Sequence, residues 1–371
     1  MKVSRVALGL ALGGLVLELV GSRNRTSIRG STAVVCGASR GLGRAIVLEL
    51  ARRGAKKIAL CARHEEDLEG LAADLVLRGI PVVAKRCDLT NRAEVADFFE
   101  EVRSELGPVD IVVTNAATIT VGPFAAWTNE DFDDAHASIF ESTLNAVLEA
   151  APSMRQRRKG TLAMITSIGA KVGVPHLAPY CAAKFAVMGL AESIRPELAV
   201  DGVNVLAVVP GLMRTGSHVH AEFKGDHPLE YAWFGASANA PVISIDADRA
   251  ARRIVAAISR GSAEVAFTPE ARLAPLLRAL TPRLWSEALT LVARFLPRPP
   301  VGSTAAQRKK EGVKIEREST SPVVKAVKKA GRVYAERHEQ KPRKVMNPVD
   351  AEPPVSSRAP VSETHPASLH H

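Results

Sequence analysis

Only four cysteines fall in 371 residues, and Cys36, Cys61, Cys87 and Cys181 show no paired C-x-x-C spacing. A thiolate metal site and a disulfide-stapled scaffold are therefore excluded. The four read as small apolar side chains in a reducing compartment. Aromatic residues are scarce, at 4%. Long apolar runs are missing too. The longest, VALGLALGGLVLELV at 6–20, is interrupted by Glu18 and falls short of the ~20 residues that span a bilayer. No clear small-x-small cleavage site precedes Arg23, Arg25 and Arg29, which disfavours a signal peptide. A membrane anchor or interfacial helix, and an extra helix packed on the domain, both remain open for residues 1–30.

Charge of one sign is lacking in the middle of the chain. Residues 301–371 carry 14 Lys/Arg against 8 Asp/Glu, and residues 1–30 carry 5 against 1. These ends supply +6 and +4 of a total of +10, so residues 31–300 are neutral overall. The middle thus offers no net positive charge for specific nucleic-acid binding. The basic ends suit contact with nucleic acid, an anionic membrane surface or plain solvation, with the protein on the cytoplasmic side.

What is present is alternation. Short β-branched runs occur at 32–36, 57–61, 81–87, 109–114, 161–166, 203–209 and 264–268. Helix-length segments at 41–53, 64–78, 91–106, about 129–157 and 180–199 separate the first six. Val- and Ile-rich strands with helices between them predict a parallel sheet covered on both faces. The expected fold is α/β: a doubly wound, mainly parallel seven-stranded Rossmann-like sheet over residues 31–268. Residues 269–297 read as an amphipathic helical extension, either packed on the domain or docked on a membrane. Residues 298–371, rich in Pro, Lys, Arg and Ser, are expected to be a disordered basic tail.

The segment TAVVCGASRGLGRAIVLEL ends the first strand, turns and opens a helix. Gly37, Gly41 and Gly43 let the backbone approach a pyrophosphate, and Ser39, Arg40 and Leu42 complete the turn. The helix N-terminus then faces the phosphates. An acidic residue at the end of the second strand would bind a ribose diol, but Ala62 and Arg63 stand there. With Arg40 and Arg63 as cations and no carboxylate between them, the predicted cofactor is NADP(H).

Tyr180 and Lys184 lie one helical turn apart, with Ser167 at the end of the fifth strand. A phenol beside an ammonium is expected to titrate below its usual value near 10, which suits a general acid/base. Ser167 would polarise the substrate oxygen, and Lys184 would also hold the nicotinamide ribose. In this order these motifs resemble the short-chain dehydrogenase/reductase family over about residues 31–268. The family's glycine motif appears as CGASRGLG, its adenine-contacting acid as Asp88, and its NNAG as Thr114-Asn115-Ala116-Ala117. Ser167 with Tyr180-Cys-Ala-Ala-Lys184, then Pro210-Gly211 with Thr215, complete the series. The resemblance implies cofactor contacts from Asp88, Asn115, Lys184, Pro210, Gly211 and Thr215. It also implies hydride transfer to a carbonyl with Tyr180 as proton donor, and a homodimer or tetramer paired through the fourth and fifth helices.

The sequence departs from the family where many members place a relay asparagine. Ile139 stands there, beside Ser138 and Phe140. Between Gly211 and Asp246 a long segment concentrates Met213, Phe223, Tyr231, Trp233 and Phe234. That points to a lipophilic ketone or alcohol substrate, or to a lid packed on its own domain. His218, His220 and His227 are not spaced for a metal site, and none is expected. A catalytically weak nucleotide-binding protein with a sensing or scaffold role is the alternative.

Overall fold

The computed structural model describes residues 25–240, 244–298 and 304–338. Residues 6–20 and the chain beyond 338 lie outside these. The centre is a seven-stranded, all-parallel sheet: β1 Thr32–Cys36, β2 Lys57–Ala62, β3 Val82–Arg86, β4 Ile111–Thr114, β5 Gly160–Ile165, β6 Val203–Val209 and β7 Glu264–Ala266. The spatial order is β7-β6-β5-β4-β1-β2-β3, with every pairing parallel. β1, β4, β5 and β6 are buried along their whole length. Continuous Val/Ile runs rather than alternating ones are the consequence of having both faces covered.

The chain leaves β1 toward β2 on one side and later returns to place β4 on the other. A crevice opens at such a switch point, outside the carboxyl ends of the strands. Helix α1, Gly41–Arg52, runs from β1; α2 is Glu69–Leu77 and α3 Arg92–Leu106. The long predicted helix at 129–157 divides into α4, Asn129–Ala135, a π-helical turn at His136–Glu141, and α5, Ser142–Gln156. α6 covers Ala178–Val200, α7 His227–Asn239 and α8 Ala247–Arg260. One core layer joins α3, α5 and α6 to one face of the sheet, including Phe98, Phe99, Met154 and Val187. The other joins α1 and α8 to the opposite face through Ile46, Leu50, Ile254 and Ile258. Cys36, Cys61, Cys87 and Cys181 are all buried.

The extension after β7 forms two helices, α9 Pro269–Leu280 and α10 Pro282–Ala293. α9 buries Ala271 and Ala274, while α10 buries no residue.

The segment from 304 corrects the expectation of disorder. It forms a 3-10 turn at Thr304–Gln307, a short strand Lys310–Glu311, helix α11 Gly312–Glu318 and helix α12 Pro322–Arg337. Lys310–Glu311 pairs antiparallel with Glu222–Phe223, which pairs in turn with Thr120–Val121. Ile315, Val324 and Val327 enter a third apolar cluster with Val121, Leu177, Phe223, Tyr231 and Phe234. The tail is too poor in apolar residues to build a core of its own. It completes one that the lid begins, each buried aliphatic side chain stabilising by roughly 1.5–3 kcal/mol.

Candidate active site

The glycine turn is one tightly packed unit. Gly37 has φ +77°, and a side chain there would meet the Ala116 backbone at 2.8 Å. A side chain on Gly43 would collide with the Gly37 carbonyl and come within 2.8 Å of Asn115 Nδ2. Asn115 closes the unit: its Nδ2 donates to the Gly37 carbonyl at 2.9 Å, and its backbone N–H donates to the Cys36 carbonyl at 3.0 Å. The predicted turn and the predicted strand-four asparagine therefore meet.

Helix α1 has Arg40 at its N-cap with no side-chain cap, so its first N–H groups are left for another partner. This backbone, with no Cβ in the way, fits a pyrophosphate. Here the Gly41 N–H donates to the carbonyl of His338, at 2.9 Å. Ser39 and Arg40 are half-buried, and Leu42 is buried. The Arg40 guanidinium lies 3.4 Å from His220 Nε2. Arg63 is exposed beyond the end of β2, next to buried Ala62. Asp88 is half-buried and its Oδ1 accepts from the backbone and hydroxyl of Thr90, at 3.0 and 2.9 Å.

Ser167, Tyr180 and Lys184 converge at the ends of β5 and α6. Ser167 Oγ accepts from the Gly169 N–H at 3.0 Å and favours the ionised form of the Tyr180 hydroxyl. A side chain at Gly169 would stand 3.3 Å from the Tyr180 ring and 3.5 Å from Ser167 Oγ, so glycine leaves this pair room. Lys184 Nζ donates to the Ile165 carbonyl at 2.7 Å and lies 5.8 Å from the Tyr180 ring centre.

The titration expected of this pair runs the other way. Burial pushes the Tyr180 phenol up to about 12, and Ser167 offsets that only in part. Burial also pulls the Lys184 ammonium down to about 7. Desolvation disfavours the charged form of each group. A lysine that is itself only half protonated near neutral pH is a weak support for a phenolate. In this state Tyr180 is a proton donor.

Pro210 and Gly211 follow β6 as expected. The Pro210 carbonyl accepts from the Ile168 N–H at 2.7 Å, which joins this loop to the one bearing Ser167. Gly211 has no space for a side chain because Thr268 Oγ1 and Glu270 Oε1 occupy it. Thr215 is buried, and its Oγ1 accepts from the Ser217 N–H at 3.2 Å. Ile139 lies in the π-helical turn and is fully buried in the core. Ser138 Oγ beside it is buried with no hydrogen-bond partner among the described residues. This turn packs against α6, the helix that carries Tyr180 and Lys184.

The lid aromatics divide. Phe223 and Tyr231 are fully buried and Phe234 nearly so. Phe223 stacks edge-on against both, with ring centres 5.5 and 6.0 Å apart. The Tyr231 hydroxyl donates to the Glu316 carboxylate on α11. These three serve the lid's own core rather than a cleft surface. Trp233 is half-buried and its Nε1 donates to Glu230 Oε2 at 2.7 Å, and Met213 is half-buried. The three histidines are held separately. His218 is buried under α12 with its pKa pulled down to about 4 by burial. His220 faces Arg40, and His227 Nε2 meets the Arg308 carbonyl at 2.8 Å.

Sequence reasoning missed His338, Thr268 and Glu270. His338 had no motif to mark it. The other two follow the last strand, where no spacing rule pointed back to Gly211.

Three comparisons bear on this geometry. The chain is 32% identical over 182 residues to a 3-oxoacyl-[acyl-carrier-protein] reductase, FabG, of Staphylococcus aureus, covering 49% of this chain and 74% of that protein. It is similar to the crystal structure of a short-chain dehydrogenase from Streptomyces avermitilis, with TM-score 0.62 and 25% identity over 71% of this chain and 98% of the other. It also resembles a short chain dehydrogenase from Burkholderia cenocepacia solved in complex with NADP, with TM-score 0.58 and 27% identity over 71% and 99%. The short chain dehydrogenase family model matches residues 31–223, the stretch that holds the glycine turn, Asn115, Ser167, Tyr180, Lys184 and Pro210-Gly211, and the chain belongs to that family.

Proposed function

We propose that this protein is an NADP(H)-dependent oxidoreductase that interconverts a carbonyl and an alcohol, with Tyr180 as the general acid/base. The observation that carries the reading is the convergence of Ser167, Tyr180 and Lys184 at the same carboxyl edge of the sheet as the glycine turn, two strands away. When bound, the nicotinamide supplies or accepts the hydride. The residues of this chain do the rest. Ser167 and Tyr180 hold the substrate oxygen between two hydroxyls. Tyr180, protonated up to about pH 12, gives its proton to that oxygen as it gains charge during reduction. Lys184 anchors the nicotinamide ribose and replaces the proton, and Ser138, with its unpartnered buried hydroxyl, stands in for the missing relay asparagine.

Arg40 and Arg63 support NADP(H) over NAD(H), since both are cations and Ala62 leaves no carboxylate to repel a 2′-phosphate. Asp88, Asn115, Pro210, Gly211 and Thr215 complete the cofactor contacts, with Ser39, Leu42 and the three glycines around the phosphates. A lipophilic ketone or alcohol is the favoured substrate, with half-buried Met213 and Trp233 as its remaining apolar contacts. The test is NADPH oxidation against a panel of ketones with Tyr180→Phe as control. Turnover that survives the substitution would overturn the assignment.

The helical hairpin supports a membrane-facing role. α9 and α10 leave Leu273, Leu276, Leu277, Leu280, Leu284, Leu291 and Val292 exposed, beside Arg272, Arg278, Arg283 and Arg294. Apolar side chains among cations suit the surface of an anionic bilayer. No helix among the described residues is long and apolar enough to cross one. Co-sedimentation with phosphatidylserine vesicles, but not phosphatidylcholine vesicles, would support this, and loss of it in Leu276→Ser/Leu277→Ser would locate it. Exposed Leu148 on α5 and Phe185 on α6 favour self-association through those helices, which sedimentation measures directly. A nucleotide-binding protein with little turnover is the second reading, favoured by Ile139.

A further inference from the structure

The C-terminal end of α12 lies against the N-terminal end of α1. The Gly41 N–H, the first of helix α1, donates to the carbonyl of His338, the residue that ends α12. A helix C-terminus carries unpaired carbonyls and a partial negative charge; a helix N-terminus carries the complement. The tail therefore places at the glycine turn the kind of group that a phosphate would place there.

The placement is anchored at several points. Arg337 pairs with Asp248, and its other guanidinium nitrogen lies 3.7 Å from Asp246. The Arg214 guanidinium stacks over the Tyr334 ring at 5.5 Å. Backbones approach closely on the way. A side chain at Gly216 would stand 2.5 Å from Ala335 Cα, and one at Gly331 would stand 2.5 Å from the His218 ring. His338 itself is buried. The contacts extend well beyond one hydrogen bond, and they begin at Gly216, the residue after Thr215.

We propose that residues 322–338 are a built-in competitor for the dinucleotide: the end of α12 holds the anion position of the glycine turn, and the cofactor enters when that end undocks. This rests on the reading of the turn as a pyrophosphate site, and it names how that site is regulated. A pocket open only part of the time binds with an affinity reduced by the open fraction. Weakening the docked state therefore tightens cofactor binding without touching a cofactor contact.

The experiment measures NADPH binding by fluorescence titration to the full chain and to two variants. Arg337→Glu reverses the charge facing Asp246 and Asp248. Gly331→Ala adds a methyl group against His218 at the helix crossing. Both leave Val324 and Val327 in the lid core, and Arg337→Glu leaves the lid core untouched, so it controls for any shift of buried His218 in Gly331→Ala. Each is expected to bind NADPH about tenfold tighter than the parent. In the parent, saturating NADPH is expected to speed proteolytic cleavage between residues 319 and 338. Unchanged or weaker binding in both variants, or a tail that NADPH protects, would overturn the competition while leaving the cofactor site standing. Absence of NADPH binding in the parent and in both variants would instead remove the cofactor reading, and the competition with it.

Discussion

Helices α10 and α12 open alike and end in opposite situations. Each opens with proline at its first position and each is amphipathic, although α12 carries five cations and α10 only Arg283. α12 lays Val324 and Val327 into the lid and brings Gly331 against His218. α10 buries no side chain fully, Trp285 and Leu289 being half-buried. An apolar stripe states that a helix needs a partner, and it does not say where the partner is. The lid offered α12 an unfinished core around Tyr231 and Phe223, whereas the hairpin found nothing to cover it among the described residues. One helix is thus packed into the lid and the other stays exposed.

The largest effect expected lies on the sheet side of that contrast. Tyr180→Phe should lower kcat by about 10²- to 10⁴-fold in a ketone-reduction assay, with NADPH binding retained. If neither α10 nor α12 supplies a catalytic group, no substitution in either helix should approach that loss.

The two helices themselves should separate under denaturant. Val327→Asp puts a carboxylate into the lid core and is expected to cost about 3 kcal/mol or more in urea unfolding. Val292→Asp on α10, at a position 50% exposed, should stay within about 0.5 kcal/mol. Equal losses would erase the contrast and mean that the hairpin is packed in solution.

A smaller change is expected at the outer end of the turn. Arg63→Asp should cut the preference for NADPH over NADH about tenfold or more, the effect of roughly 1.4 kcal/mol. Competition binding with the two cofactors reads this directly. An unchanged ratio would leave Arg63 as a solvated surface charge.

The last effect is a slope. Lys184 titrates at about 7 when folded, against about 10.4 in an unfolded chain. Between those values the unfolded state binds more protons, so stability rises with pH through that window. Below pH 7 the cost of burying the ammonium is felt in full. The rise is at most about 1.4 kcal/mol per pH unit, and Lys184→Met should flatten it in unfolding curves taken from pH 6 to 10. Tyr180 acts in the opposite sense above pH 10. The folded state holds its proton up to about 12, so stability contributed there falls as pH rises from 10 to 12.

Much of the domain could be read from pattern alone, because a sheet buried on both faces writes itself as Val/Ile runs between helical periods. Residues such as Val34, Val112 and Val205 are fully buried and carried that signal. Tyr180 and Lys184 were legible because they stand four apart on one helix, whereas Asn115 and Ser167 were legible through the family resemblance that assigned them to strand ends. What escaped was set by tertiary context. The direction of the Tyr180 shift depends on how dry the pocket is, and no spacing reveals that. The π-helical turn at His136–Glu141 was hidden inside one long helical pattern. The tail's order was missed because Ile315, Val324 and Val327 are too sparse to form a core by themselves. A local signal did exist, since Ser321-Pro322 is a helix-opening pair followed by Val323, Val324 and Val327.

The pairing of Lys310–Glu311 with Glu222–Phe223 joins to the lid a piece of chain that a ribosome makes late. The sheet, the glycine turn and Tyr180 have all left the tunnel before His338 is translated. During that interval the Gly41 amide has no chain carbonyl to meet, and the first NADPH molecule encounters a nascent domain without its rival. A cofactor that arrives after His338 has docked would instead have to displace it.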